Sequence, residues 1–118
     1  MKKGNPVRDK SYDFAIKIIG VYQLLVREKK EYVLSKQLLK SWTFIGANVE
    51  EAIGGQSKKD FFSKIAIAYK EARESQYWLR LLMDSNYLSN EMGVILLNEC
   101  NDLIRIIGTI QKTTRKNL

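Results

Sequence analysis

The chain has 118 residues, of which 45% are hydrophobic, and 20 basic against 13 acidic residues give it a net charge of +7. That length makes one domain, large enough to bury a core without disulfides. Because the chain has no histidine, Ser-His-Asp and Cys-His catalysis, Arg/His ribonuclease chemistry and Glu-x-x-His di-iron sites are excluded.

The first predicted helix runs from about Asp9 to Glu28, after an N-terminal tail of residues 1–8. Its core positions recur at helical spacing and are Phe14, Ile18, Val21 and Leu25. Further apolar residues widen the apolar arc to well over half of the circumference, more than the roughly 100° stripe of an ordinary surface helix. A charged segment without periodicity follows at residues 27–31.

The second predicted helix runs from about Leu34 to Ile53, with apolar residues at spacings of three and four, and ends at Gly54. Ser57 suits the N-cap of a third helix, and Asp60 places negative charge in its first turn. The third helix is predicted to end near Asp84.

The fourth predicted helix begins near Ser89 or Asn90 and reaches Lys112, before a basic C-terminal tail of residues 113–118 that is expected to fray. The connections between the four helices are short, so consecutive helices should pack antiparallel. Residues 9–112 are therefore predicted to form an all-α, up-down-up-down four-helix bundle.

Several apolar residues fall outside the predicted core stripes. We interpret them as a subunit interface, because contiguous exposed apolar surface often marks one. The alternative is scattered exposure, which monomers tolerate. The candidate interface residues are Ile19, Val26, Phe44, Ile67, Trp78 and Leu82.

Polar residues also occupy positions where a core is expected. Glu99 and Gln76 fall inside apolar stripes, and Asn48 and Glu51 share a flank of the second helix. A buried carboxylate is costly unless it is paired. We predict that these residues form a structural polar network, in which Glu99 contacts Gln76, a tyrosine hydroxyl or Arg73.

Basic residues are interleaved with aromatic ones on the third and fourth helices. Such groups can hold phosphates while rings stack on bases, although a solvated helix face looks similar. The tyrosines predicted near helix ends are Tyr12, Tyr32, Tyr77 and Tyr87. The candidate nucleic-acid-binding residues are Lys58, Lys59, Lys64, Lys70, Arg73, Arg80, Arg105, Lys112 and Arg115.

The sequence shows no pattern of a membrane-spanning segment or a signal peptide. No apolar run approaches the roughly 18 residues that span a bilayer, and no apolar signal-peptide core follows the basic start. The lone Cys100 agrees with a reducing compartment. We expect a cytoplasmic protein with no membrane partner, no cofactor or metal, and no small-molecule substrate.

A family resemblance rests on residues 37–41, 45–52 and 57–61, with further matches at 70–74 and 78–79. Its most specific element is Asn48-x-x-Glu51 placed before Ser57-x-x-Asp60-Phe61. Over about residues 11–110 the chain resembles the bacterial four-helix bundle proteins encoded by intervening sequences of large-subunit ribosomal RNA genes. The resemblance implies a homopentamer with a central channel and no established enzymatic activity. A related branch, the accessory variability determinants of diversity-generating retroelements, implies nucleic-acid binding.

The sequence is compatible with three functions. The leading hypothesis is a non-catalytic homo-oligomer, a pentamer by the family resemblance, that binds RNA or DNA through its basic surface. The alternative is a protein–protein scaffold whose charge only serves solubility. The least favoured is an enzyme that holds a divalent metal through Glu51, Glu71, Glu74 and Glu99.

Overall fold

A computed structural model describes residues 5–118, which form four helices. They are α1 (Pro6–Lys29), α2 (Leu34–Ile53), α3 (Lys58–Asp84) and α4 (Asn90–Lys116). Each helix packs against the next one in sequence, and α4 also contacts α1, which closes the bundle. The predicted all-α, up-down-up-down four-helix bundle is confirmed, and it measures 45 Å along its long axis.

The helix bounds differ from the predicted ones at both ends of the chain. α1 begins at Pro6 instead of Asp9, because Asn5 Oδ1 accepts a hydrogen bond from the Arg8 N–H at 3.0 Å and Pro6 occupies the first helical position. At the other end, α4 continues to Lys116 through residues assigned to the basic tail. The cation of Arg115 lies 5.5 Å from the centre of the Phe62 ring, so this last turn is held against α3.

The internal helix ends are as predicted. The Ser57 hydroxyl accepts a hydrogen bond from the Asp60 N–H at 3.1 Å, which confirms the N-cap of α3. The Ser89 hydroxyl accepts one from the Met92 N–H at 3.2 Å, so Ser89 caps α4. Each cap satisfies one backbone donor that the first helical turn leaves unpaired.

The core fills the space between the four helices, and Trp42 is its largest fully buried side chain. The Trp42 ring meets the Phe14 ring edge to face, with centroids 6.4 Å apart. Leu82 is also fully buried, so its prediction as an interface residue was wrong. The chain turns back directly after α3, where the Tyr87 and Leu88 N–H groups donate to the Leu82 carbonyl, and Leu88 joins the same core.

No helix within residues 5–118 is long and apolar enough to cross a bilayer.

The first turn of α2 is capped by a residue that was not predicted, which lies two positions before the N-cap Val33. The buried Glu31 carboxylate accepts hydrogen bonds from the backbone N–H groups of Val33, Leu34 and Ser35 at 3.0, 2.8 and 2.6 Å. The Ser35 hydroxyl donates to the Glu31 carbonyl at 2.8 Å. Burial raises the pKa of the Glu31 carboxyl, but these hydrogen bonds outweigh burial and leave that pKa below its ordinary value.

Glu31→Ala should lower the free energy of unfolding by about 1–3 kcal/mol at neutral pH, because three backbone donors lose a charged acceptor. Urea unfolding at one fixed protein concentration measures the loss. Glu28→Ala is the matched control, since Glu28 is exposed in the last turn of α1. It should change the free energy of unfolding by no more than about 0.5 kcal/mol.

The Glu31 contribution should also depend on pH. A carboxyl whose pKa is lowered by folding stabilises the fold fully above its unfolded pKa, near 4.3, and this stabilisation disappears as pH falls through the folded pKa. The difference between wild type and Glu31→Ala should therefore shrink in acid. A difference that stayed constant below pH 4 would contradict the cap.

Candidate nucleic-acid interface

Three contacts set the register of α3 against α4. The Gln76 amide donates to Asn101 Oδ1 at 2.7 Å, Tyr69 lies against Gly108, and Arg115 lies over the Phe62 ring. From one pair to the next, the α4 residue is seven positions later and the α3 residue is seven positions earlier, as antiparallel packing requires.

A recess of about 410 Å³ opens between α3 and α4 on the outside of the bundle. Tyr69 forms its wall on α3, and the α4 residues come from one face of that helix at spacings of one, three and four. Gly108 lets the two helices approach here, because a Cβ at this position would lie 3.1 Å from Tyr69 Cε1. The remaining lining residues are Ile104, Arg105, Thr109, Gln111, Lys112 and Arg115. We call this site the basic recess.

Every charged side chain that lines the basic recess is a cation. Residues 104–116 of α4 include four basic residues and no acidic residue. Arg73 on α3 donates to the Tyr69 hydroxyl at 3.4 Å, which is a weak hydrogen bond. The nearest acid that touches a recess residue is Asp102, which pairs with Arg105 at 3.0 Å in an exposed ion pair. Such a pair is weak, so Arg105 keeps donors for another anion.

The nine predicted nucleic-acid residues do not all belong to this surface. Arg105, Lys112 and Arg115 line the basic recess and Arg73 joins it through Tyr69. Lys64 lies elsewhere, because its ammonium pairs with Glu51 of α2 at 2.8 Å. The others are exposed along α3 and outside the recess lining: Lys58, Lys59, Lys70 and Arg80.

Tyr69 is the site residue that sequence reasoning missed. It packs against the core and also lines the recess. The spacing Tyr69-x-x-x-Arg73, which stacks two side chains on one helix face, was the available signal. Among the predicted tyrosines, Tyr77 is exposed on α3, whereas Tyr12 and Tyr32 lie on and after α1.

An apolar stripe runs along the outward side of α1, at positions i, i+4 and i+7. Tyr12, Ile16 and Ile19 are 63%, 55% and 44% exposed, and we call them the α1 stripe. Beside it is a recess of about 220 Å³ between α1 and α2, whose small lining residues include Ala15 and Gly46. Only Ile19 of the stripe was predicted from the sequence.

A second apolar surface lies where α2 meets α3, and consists of Phe44 and Ile67, which are 43% and 37% exposed. Phe44 is seven residues before Glu51 and Ile67 three after Lys64, and Glu51 and Lys64 form an ion pair. Phe44 and Ile67 therefore lie on the flank that α2 and α3 share. We call this pair the α2–α3 patch.

The remaining interface candidates are less accessible. Val26 on α1 and Trp78 on α3 are half-buried, and Trp78 packs against the core. The indole N–H of Trp78 donates to Glu74 Oε2 at 3.1 Å, on the same helix. Neither side chain presents the free surface that the α1 stripe does.

The predicted polar network is divided among separate contacts. Glu99 pairs with Lys17 of α1 at 2.5 Å, so none of its predicted partners was right. Gln76 donates to Asn101, and Asn48 donates to the Phe44 carbonyl at 2.8 Å, within its own helix. Glu99 Oε1 is buried and accepts no hydrogen bond from residues 5–118.

The carboxylates of the hypothetical metal site point to different partners. Glu51 pairs with Lys64, Glu99 with Lys17, and Glu74 accepts from Trp78. Burial raises the pKa of Glu71, and the neighbouring Glu74 raises it further. In the part of the chain that the structure describes, no three acidic or cysteine residues are grouped to hold a metal ion.

Comparison with known proteins agrees with this arrangement of helices. A model of the 23S rRNA-intervening sequence protein family matches residues 3–109. The chain belongs to this family. A crystal structure of a protein of unknown function, from the S23 ribosomal protein family of Bacteroides thetaiotaomicron, is 44% identical to this intervening sequence protein. Its TM-score is 0.88, over 90% of this chain and 98% of that one. A search of curated proteins finds no match.

Proposed function

We propose that this intervening sequence protein is a non-catalytic homo-oligomer that binds RNA or DNA through the α3–α4 face. The observation that carries the proposal is the basic recess, a concave site lined by three cations of α4. Cations in a cleft focus the electrostatic field and attract polyanions. Burial raises the pKa of the Cys100 thiol to about 12 and suppresses the reactive thiolate, which agrees with a non-catalytic role for this cysteine.

The two apolar surfaces support the proposal of self-association, and we propose that the α1 stripe of one copy contacts the α2–α3 patch of the next. The α1 stripe and the α2–α3 patch occupy different parts of the bundle, so contact between one copy's stripe and the next copy's patch is heterologous. A heterologous contact forms a ring when its rotation closes. We propose that the ring is the pentamer that the family resemblance implies.

Assembly would multiply the charge that attracts a nucleic acid. Five chains of +7 carry +35 on one particle. The basic recess lies on the α3–α4 side and shares no residue with the α1 stripe or the α2–α3 patch. We propose that assembly through those two surfaces leaves every basic recess open to solvent, so that one nucleic acid strand contacts several copies.

Two measurements test the proposal. Light scattering should give a mass of about 69 kDa, five times the 13.7 kDa chain. Binding to labelled RNA and DNA should weaken steeply as salt rises, because each phosphate that is neutralised releases counterions. Binding that did not change with salt would contradict a phosphate-contacting surface. A protein partner that remains bound after nuclease treatment and in high salt would favour the scaffold alternative.

A further inference from the structure

We propose that the basic recess is a nucleotide site for single-stranded nucleic acid. In this site the phosphates contact Arg105, Lys112 and Arg115, and one base stacks on the Tyr69 ring. The inference rests on the proposed function, and it adds that the surface distinguishes single strands from duplexes.

The phosphate side of the site is formed by α4. Arg105, Lys112 and Arg115 all line the recess, and the first and last of them are ten positions apart, or about 15 Å along the helix. Arg115 lies 5.5 Å from the centre of the Phe62 ring. A guanidinium held against an aromatic ring is not paired with a carboxylate by that contact, so its N–H donors stay available for phosphate oxygens. The aromatic contact therefore positions Arg115 without neutralising it.

The base side of the site is formed by Tyr69 and Gly108. The recess holds about 410 Å³, which is within the range of small-molecule sites. Gly108 lies against the Cε1–Cδ1 edge of the Tyr69 ring, and because it has no side chain it adds no bulk to the recess that it lines. Aromatic rings in such grooves stack on bases of any type, so the site should show little sequence preference.

A duplex cannot place a base in the recess. Its bases are stacked inside the helix, and only their edges and the phosphates reach a protein surface. The cations of the α3–α4 face can contact a duplex backbone, but the Tyr69 ring cannot stack on a paired base. Single strands should therefore gain a contribution that duplexes lack.

The decisive variant is Gly108→Ala, which leaves the charge unchanged. Its Cβ would lie 3.1 Å from Tyr69 Cε1, so the ring must give by a few tenths of an ångström, and the added methyl group takes up part of the recess that residue 108 lines. Alanine is a better helix former than glycine, so the variant should fold. Gly20→Ala is the matched control, because a Cβ at Gly20 meets nothing within 4 Å. Tyr69→Leu is a second variant, which removes the ring and keeps apolar packing.

Fluorescence anisotropy should be measured with a 12-nucleotide uridine RNA, the corresponding thymidine DNA and a 12-base-pair duplex, at one low salt concentration. Gly108→Ala and Tyr69→Leu should weaken binding of both single strands by about tenfold, as expected for the loss of one stacked base. Duplex affinity should change by less than about twofold, and Gly20→Ala should match wild type throughout. Circular dichroism and light scattering confirm that each variant keeps its fold and mass.

The failures of the two proposals are distinguishable. Wild-type protein that binds no nucleic acid, or binds it independently of salt, overturns the proposed function and the nucleotide site with it. Wild-type binding that depends on salt, together with Gly108→Ala and Tyr69→Leu binding single strands as tightly as wild type, overturns only the nucleotide site. Equal weakening of single-strand and duplex binding in these variants overturns the stacking assignment as well.

Discussion

Replacing Ile16 and Ile19 together with glutamate should convert the proposed oligomer into a monomer of 13.7 kDa. Both side chains are about half exposed in the isolated bundle, so the folded monomer tolerates a polar residue at either position. In an interface each glutamate would carry a charge into an apolar contact, where desolvation is costly. The oligomer should therefore dissociate while the helices remain folded, and light scattering with circular dichroism measures both.

The α4 residues Val94 and Ile95 provide the matched control. They are exposed to a similar extent, they lie outside the α1 stripe and the α2–α3 patch, and Val94→Glu with Ile95→Glu changes the net charge by the same amount. This control variant should keep the mass of wild type. If the control variant became a monomer while the Ile16 and Ile19 variant remained an oligomer, the interface would lie on α4 instead.

Local signals were sufficient to predict the helices. α2 has the bounds that its apolar spacing predicts, and the hydroxyl of Ser57 caps α3 as expected. The one misplaced helix start, at Pro6, also had a local signal in Asn5-Pro6, an N-cap followed by a first-turn proline. Glu31 is similar, since its carboxylate caps the helix that starts three residues later.

The placement of surface residues depended on contacts that a single helix does not encode. Leu82 is the exception, because it follows Ser75 and Leu79 at helical spacing in the buried stripe of α3, so its burial could be predicted from the sequence. The partner of Glu99 is Lys17, 82 residues away in sequence. The basic recess depends on the register that brings Gly108 against Tyr69. Arg105, Lys112 and Arg115 were identifiable as charges, but the concave site between them was not.

Removing the three recess cations together should have the largest effect on nucleic-acid binding. Arg105→Gln, Lys112→Gln and Arg115→Gln keep side chains of similar length and remove the charged donors to phosphate. Hydrogen bonds to charged groups contribute about 1.5–3 kcal/mol each, so affinity for a single strand should fall by at least about 100-fold at low salt. Anisotropy titrations over a range of salt concentrations measure this loss.

The salt dependence separates a phosphate site from a general charge effect. Arg27→Gln, Lys29→Gln and Lys36→Gln remove the same net charge from exposed positions around the α1–α2 connection. Each lost phosphate contact should reduce the magnitude of the slope of log affinity against log salt by about 0.7 for a single strand. The slope of the recess variant should therefore be smaller than that of wild type by roughly 2, and the slope of the control should be almost unchanged. An equal reduction of the slope in the two variants would mean that only the total charge attracts the nucleic acid. The cations of the recess would then not be specific phosphate contacts.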